Sequence, residues 1–278
     1  MITPSRWNGP VFLMNFPISV SSDVPNNALM RPGTIYDKKR ACDQWLEFYR
    51  IMTGEALVYV LPGHDHLQDL PFVANLGCYL PHIRNDDVVL LSNYTSEPRI
   101  GEERFGFRFF NSFDYSVVQS PYCWEGEADL KWIRDNIYIG GIGMRSTPDA
   151  YKWMRLNFDM DVHEIKINDP KLYHLDCVLL PLSENKALVN VSVVDKKDLK
   201  TLESLVEVIP VPKEYVYQGW TNSIILNGIV MHSPADKPIT PFADLLDKHD
   251  LKLATFDLTE FDKSGADLSC LVMHMNYR

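Results

Sequence analysis

The stretch IYIGGIGMRSTPDAYKWMRLNF, residues 137–158, contains a mostly apolar segment, a short polar turn and then a helical pattern. The segment Ile137–Ile142 predicts a buried strand. A hydroxyl residue, Ser146 or Thr147, can cap the first helical turn, and Pro148 suits the first helical position. The face of the helix that packs on the core is predicted from its apolar residues, which are Tyr151, Met154, Leu156 and Phe158.

The same order of strand, polar turn and helix recurs along the chain. Further strands are predicted at Val11–Met14, Phe72–Leu80, Cys177–Leu182 and Ser223–Ile229, with a closing strand at Leu268–Met275. Further helices are predicted at Asp37–Met52, Glu102–Phe113, Lys196–Glu207 and Pro241–His249. Units spaced about 40 to 60 residues apart indicate an internal repeat, and such repeats often close into a ring or propeller. Because no stretch has the composition of a linker, we expect a single α/β domain over residues 1–278.

Composition excludes several classes of protein. With 278 residues and 46% hydrophobic content, the chain can bury a full core. Its net charge of −10 argues against a nucleic-acid groove or an anionic membrane surface as partner, because both need clustered Lys and Arg. The apolar runs are too short to cross a bilayer, and the first residues lack the layout of a signal peptide. We therefore expect a cytoplasmic protein.

The cysteines and histidines carry no metal-binding pattern. Five dispersed cysteines without a CxxC pair favour free thiols in a reducing compartment. His64 and His66 flank Asp65 after a Pro-Gly pair, so a solvated turn is favoured over a metal site.

Three places hold residues suited to covalent catalysis. Glu125 follows a predicted turn. His174 and Asp176 are two residues apart at the start of an apolar segment, where a strand would point both side chains to one face. Cys270 follows a small, polar turn, and a cysteine in such a place is by itself more often part of the core than catalytic.

The order of four segments changes that interpretation. Residues 69–75 read DLPFVAN, residues 124–129 read WEGEAD, residues 173–178 read YHLDCV and residues 264–271 read SGADLSCL. Together they resemble the guanidine-modifying, or pentein, superfamily, which includes arginine deiminases, dimethylarginine dimethylaminohydrolases, amidinotransferases and arginine dihydrolases. The resemblance extends from about Val11 to Tyr277. It implies a five-bladed α/β propeller of ββαβ modules, a small guanidine substrate, and no metal or organic cofactor.

The resemblance also implies roles for individual residues. The catalytic residues would be Cys270 as nucleophile, His174 as general acid and base, and Glu125, which would orient His174. The substrate-binding residues would be Asn75 and Asp176 at the guanidinium, Arg145 and Arg99 at the carboxylate, Asp69 at the amine, Phe72 in the same segment, and Asn15 near the start of the chain. A surface ion pair is an equally good interpretation of Arg99.

These residue types suit the chemistry. A guanidinium carbon is a poor electrophile because three nitrogens share its charge, and covalent catalysis by a thiolate divides the displacement into easier steps. Cys270 would form a thiouronium while His174 protonates the departing nitrogen, and water deprotonated by His174 would then release the product.

Asn75 bears on which reaction occurs. One-step deiminases of this superfamily have Asp at this position, whereas an Ala-Asn pair is similar to members that hydrolyse twice. Asn both donates and accepts hydrogen bonds, so it can hold a guanidinium or a ureido group. We therefore expect arginine to be hydrolysed to ornithine, two ammonia and carbon dioxide. The alternatives are an amidinotransferase, a one-step deiminase, and a non-catalytic ribosome-binding propeller protein. The sequence leaves open whether the chain forms homo-oligomers.

Overall fold

The fold is a ring of five three-stranded sheets. The computed structural model describes residues 3–234 and 238–277. The strands are β1 Val11–Asn15, β2 Leu57–Leu61, β3 Gly77–Tyr79, β4 Val88–Leu91, β5 Ser116–Gln119, β6 Leu130–Arg134, β7 Ile137–Ile142, β8 Asp161–Lys166, β9 Leu179–Ser183, β10 Lys186–Val189, β11 Glu207–Pro210, β12 Ile224–Leu226, β13 Ile229–His232, β14 Lys252–Thr255 and β15 Met273–His274. The helices are α1 Lys38–Glu55, α2 Glu102–Asn111, α3 Gly126–Asp129, α4 Pro148–Phe158, α5 Lys196–Leu205, α6 Thr240–Asp247 and α7 Thr259–Asp262.

Each sheet repeats one topology. An antiparallel pair of strands is followed by a helix and then by a third strand parallel to the second, as in β3-β4-β5 and β6-β7-β8. In the remaining sheet the first strand is the last of the chain, since β15 pairs antiparallel with β1 at Phe12 and His274. The ring is therefore closed by the two ends of the chain, and the predicted five-bladed α/β propeller of ββαβ modules is confirmed.

The crossover helices α1 and α4 follow their sequence patterns with two exceptions, both in α4. The first is the predicted hydroxyl cap, since Thr147 precedes the helix but its Oγ1 donates to the carbonyl of Cys123. In α1, the side chain of Asp37 caps the amide of Arg40, and Ala41, Trp45, Phe48 and Met52 are buried as predicted. In α4, Tyr151 and Met154 are buried. Leu156, which we expected on the same face, is 75% exposed. It follows Met154 by only two residues, which turns its side chain away from the core.

Three predicted strands are shorter than expected. Ser223–Ile229 contains β12, a turn at Asn227 and Gly228, and the start of β13. Both turn residues have positive φ, 52° and 75°, as a tight hairpin requires. Phe72–Leu80 and Leu268–Met275 each begin with a 3-10 turn before the strand.

Short helical turns precede the first strands of four sheets. They are residues 73–75 before β3, α3 before β6, residues 175–177 before β9 and residues 268–271 before β15. The α3 turn contacts the turns at 73–75 and 175–177, and the turn at 268–271 contacts that at 73–75. Polar side chains from four blades therefore meet in one place.

A cavity of about 400 Å³ lies among residues of β6, β9, β12 and β15. Ala74 and Ser269 line it, whereas their neighbours Asn75 and Cys270 line a separate pocket. The helical turns therefore lie between two cavities.

Among the residues described, no helix combines the length and the apolar character needed to cross a bilayer.

Candidate active site

Seven of the residues predicted to act at a site line one narrow pocket: Asp69, Phe72, Asn75, Arg99, Arg145, His174 and Cys270. The other lining residues are Asn26, Asn27, Tyr173, Ser264 and Ala266. The predicted residues come from distant parts of the chain, and the closed ring brings them together.

Glu125 lies at the centre of the polar contacts. Nε2 of His174 donates to its Oε2 over 2.9 Å, and Nδ2 of Asn75 donates to the same oxygen over 3.3 Å. Nη1 of Arg145 lies 3.0 Å from Oε1 and 3.1 Å from Oε2. Glu125 is completely buried, and burial alone would raise its pKa. The hydrogen bond and charge of His174, with the charge of Arg145, instead lower the pKa of Glu125 to about 2. Glu125 is therefore a carboxylate that fixes the His174 ring.

The backbone around Glu125 is itself held by side chains. The amide of Glu125 donates to Oγ of Ser146, which donates to Asp129 Oδ2. The other oxygen of Asp129 accepts from the amide of Leu175, the residue after His174. Asp129 thus connects the turn that carries Glu125 to the turn that carries His174.

Cys270 lies in the 3-10 turn 268–271 and is 6% exposed. Its Sγ is 4.0 Å from Asp176 Oδ2 and 3.6 Å from Asn222 Oδ1. Burial and the charge of Asp176 raise the pKa of the Cys270 thiol to about 12. Without a bound cation the sulfur is therefore protonated at neutral pH.

One segment covers the side of the pocket where Arg145 and Asp69 lie. Asn26 accepts at its carbonyl oxygen from Nη2 of Arg145 over 2.6 Å, and its Nδ2 donates to Asp69 Oδ2 over 2.6 Å. Asn27 donates to the carbonyl of Ser264 over 3.0 Å. Asn26 thus occupies both Arg145, which was predicted to bind the carboxylate of an amino acid, and Asp69, which was predicted to bind its amine.

Arg99 is buried rather than a surface residue. Nε and Nη2 donate to Glu102 Oε2 over 3.2 and 2.9 Å. Nη2 also donates to the carbonyls of Asp69 and Phe72. Arg99 therefore holds the backbone of the segment that carries Asp69, Phe72 and Asn75.

Two predicted substrate-binding residues do not line the pocket. Nδ2 of Asn15 donates to the carbonyls of Leu61 and Pro62, in a buried position beside β2. Asp176 is fully buried behind Cys270, where its Oδ2 accepts from Ser269 Oγ over 3.0 Å. The roles of both residues in substrate binding stay predictions.

The expected strand geometry at His174 and Asp176 is wrong. Residues 175–177 form a 3-10 turn, and β9 begins only at Leu179. His174 meets Glu125 on one side of this turn, and Asp176 meets Ser269 on the other. The apolar composition of the segment could not distinguish a buried turn from a strand.

Sequence reasoning missed Asn26, Asn27, Asn222 and Ser269. Asn26 and Asn27 lie in a loop with no repeated pattern. Asn222 precedes β12 as the other central polar residues precede β3, β6, β9 and β15, so its place in the repeat was the available signal.

The described part of the chain holds no group of three or more His, Cys, Asp or Glu side chains placed to bind a metal. His64 and His66 lie in a turn in which Asp65 and His66 are exposed, and the cysteines are free thiols.

Comparison with curated proteins finds relatives that are named for arginine dihydrolase and ornithine cyclodeaminase activities. The bifunctional arginine dihydrolase/ornithine cyclodeaminase AgrE of Nostoc sp. strain PCC 7120 is 26% identical over 272 residues, which cover 95% of this chain and 37% of AgrE. The similarly named ArgZ of Synechocystis sp. strain PCC 6803 is 24% identical over 247 residues, covering 86% of the chain and 34% of ArgZ. The chain thus spans about a third of the length of these two relatives. No family model matches it.

Solved structures agree with the sequence relatives. Unliganded AgrE superposes with a TM-score of 0.88 at 26% identity, over 97% of this chain and 40% of AgrE. The dimethylarginine dimethylaminohydrolase (DDAH) of Pseudomonas aeruginosa has the same fold, with a TM-score of 0.77 at 16% identity over 96% of this chain and 100% of its own. The ring of five sheets and these relatives make the chain similar to the guanidine-modifying (pentein) superfamily, and within it to the arginine dihydrolases and dimethylarginine dimethylaminohydrolases.

Proposed function

We propose that this protein hydrolyses the guanidine group of arginine twice, through a thiouronium on Cys270, and releases ornithine, two ammonia and carbon dioxide. The observation that carries the proposal is the meeting of Cys270, His174 and Asn75 in one pocket, with Glu125 bonded to both His174 and Asn75. The relative AgrE is named for arginine dihydrolysis, and a cysteine-to-alanine mutant of AgrE was crystallised with L-arginine.

The first hydrolysis begins when the cationic guanidinium enters beside Cys270. Its positive charge favours the thiolate, which attacks the guanidine carbon and forms a C–S bond. Because Nε2 of His174 donates to Glu125, Nδ1 is the ring nitrogen left to exchange a proton with the departing ammonia. His174 then takes a proton from water, which attacks the thiouronium carbon and releases the Cys270 sulfur.

The second hydrolysis requires that the ureido product stay bound. With Nδ2 of Asn75 donating to Glu125, its Oδ1 is left to accept from guanidinium or ureido nitrogens. An Asp at this position would place a second carboxylate about as close to Glu125 as the Asn75 amide is. Two carboxylates at this distance repel each other unless a cationic substrate lies beside them. Asn75 therefore suits a site that must hold a neutral ureido group as well as a cation.

The remaining lining residues suit the amino-acid end of arginine. A guanidinium at Arg145 can bind a carboxylate, and the Asp69 carboxylate can accept from an ammonium. Since Asn26 bonds to both groups, arginine would displace it from them.

The test is to incubate the protein with arginine and assay ammonia, citrulline and ornithine. We expect two ammonia for each ornithine, and no turnover by Cys270→Ala. Accumulation of citrulline with one ammonia would replace the proposal by a one-step deiminase. Product formed only after glycine or another amine is added would replace it by an amidinotransferase.

A further inference from the structure

Asn222 presents its amide edge to the proposed nucleophile. Its Nδ2 is 3.7 Å and its Oδ1 3.6 Å from Sγ of Cys270. The side chain is buried, and it is not among the residues that line the substrate pocket. It therefore contacts the sulfur from outside the pocket.

Further contacts hold this amide in place. Ser269 Oγ lies 2.8 Å from Asn222 Oδ1 and 3.0 Å from Asp176 Oδ2. The amide of Ser269 donates to the Asn222 carbonyl over 3.4 Å. On its other side, Nδ2 lies 3.9 Å from Sγ of Cys177. The chain Asp176–Ser269–Asn222 leaves the side chain little freedom to turn away from Cys270.

The amide can serve the sulfur in both protonation states. A thiol donates, so it can use the amide oxygen, whereas a thiolate accepts and can use an N–H. Exchanging the amide oxygen and nitrogen would still leave one N–H and one carbonyl within 3.7 Å of Sγ. Either orientation of the Asn222 amide therefore offers the sulfur both a donor and an acceptor.

Taken together, the other groups around Sγ of Cys270 disfavour its thiolate, and the Asn222 N–H favours it. Burial and the Asp176 carboxylate raise the pKa of the thiol, whereas the Asn222 hydrogen bond opposes this. The ionisable groups that face the sulfur or line the pocket beside it are Asp176, Asp267, Cys177, Tyr173, His174, Arg145, Asp69 and Arg99.

We propose that Asn222 is a further catalytic residue, whose amide accepts from the Cys270 thiol and donates to the thiolate from outside the pocket. The proposal rests on the proposed role of Cys270 as nucleophile. It adds a contribution from the blade formed by β12, β13 and β14, which supplies none of the residues predicted from the sequence.

The test compares the full chain with Asn222→Asp and Asn222→Leu. Asp has the same shape but offers only acceptors when ionised, and Leu offers neither donor nor acceptor. Ser223→Ala is the matched control, because Ser223 is buried, adjacent and hydrogen-bonded to Trp220 and His232 rather than to Cys270. Alkylation of the Cys270 peptide by iodoacetamide is followed by mass spectrometry from pH 7 to pH 11, and circular dichroism checks folding.

We expect Asn222→Asp to slow alkylation about tenfold at each pH from 7 to 11, because it adds a like charge beside the thiolate. Asn222→Leu should slow alkylation at every pH. With arginine, both should lower kcat at least about tenfold while KM changes less than about threefold, since Asn222 lies outside the pocket. Ser223→Ala should match the parent protein in both assays.

Alkylation of folded Asn222→Asp at the parent rate throughout this pH range would overturn the proposal. This comparison can be made even if Asn222→Leu does not fold. The alkylation assay needs no substrate. If the parent protein did not turn over arginine but the slower alkylation of Asn222→Asp was observed, the proposed function would fail while the role of Asn222 would stand.

Discussion

At the scale of single residues, the site depends on one ionised carboxylate with three partners. Glu125 accepts from His174, Asn75 and Arg145 in a place without solvent. Each partner donates a hydrogen bond to the same carboxylate, so a change in any one of them alters the other two. This is the physical reason for an amide at position 75, beside a carboxylate that is already present.

Asn75→Asp is expected to lower kcat on arginine at least about tenfold, because like charges meet near Glu125. It should also shift the products toward citrulline, since a second carboxylate beside Glu125 would be compensated by the guanidinium cation but not by the neutral ureido group. Quantifying citrulline and ornithine by chromatography checks this. Asn157→Asp, at an exposed position in α4, is the control. An unchanged product ratio in an active Asn75→Asp protein would contradict the expectation.

The free energy of unfolding is also expected to depend on pH, because folding lowers the pKa of Glu125. Its pKa in the folded state, about 2, lies below the ordinary value of 4.5, so its contribution is present above pH 4.5 and is lost as the pH falls toward 2. The contribution is on the order of 3 kcal/mol. Urea unfolding of the parent and Glu125→Gln should differ most at pH 5 to 6, with the difference shrinking as the pH falls toward 3. A constant difference would show that Glu125 is not the titrating group.

At the scale of elements, the turn at α3 depends on a glycine. Gly126 has φ of 58°, and a Cβ there would overlap the carbonyl oxygen of Ala74 and lie 2.8 Å from the carbonyl carbon of Asn75. A side chain would therefore separate the two turns that carry Glu125 and Asn75.

Gly126→Ala should lower both stability and kcat, with a loss of about 2 kcal/mol in the free energy of unfolding. Gly54→Ala is the control, because a Cβ at this position in α1 meets nothing within 4 Å. It should raise stability by about 0.5–1 kcal/mol and leave kcat unchanged. Urea unfolding and initial rates measure both effects. Full activity of Gly126→Ala would show that the turns can separate without harm.

At the scale of the whole molecule, the ring is closed by few hydrogen bonds near the ends of the chain. Strand β15 has two residues. Asn276 strengthens the closure, since its Oδ1 accepts from the amide of Val11 and its Nδ2 donates to the carbonyl of Gly9. Cys270 lies three residues before β15, so the closure also positions the proposed nucleophile.

Asn276→Ala is expected to lower the free energy of unfolding by about 2 kcal/mol, because it leaves buried backbone groups without partners. It should also reduce kcat. Asn136→Ala removes one solvent-exposed hydrogen bond, from the side-chain amide to the carbonyl of Asp159, and should change stability by less than about 1 kcal/mol. Equal decreases in the free energy of unfolding of the two variants would mean that the Asn276 hydrogen bonds stabilise the fold no more than an exposed hydrogen bond does.

Local pattern was enough to predict the five crossover helices and at least one strand region in each blade, but most of the other strands were not predicted. The face of α1 follows from apolar residues at helical spacing, and the recurrence of strand and helix indicates a ring or propeller. The five-bladed form was implied by the resemblance to the guanidine-modifying superfamily. The motifs were enough to predict seven of the residues that line the pocket. These features depend on residues close to one another in the chain.

Only the tertiary structure decided which of these side chains touch. Asn75 and Glu125 are 50 residues apart in sequence, His174 and Asn75 are 99 apart, and Cys270 and Asn222 are 48 apart. Their contacts exist because the ring closes and brings the turns before the first strands together. Periodicity reports the burial of each segment, but it carries no information on which distant segment lies opposite. For this reason Asn222, Asn26 and the pairing of Arg145 with Glu125 became visible only in the closed ring.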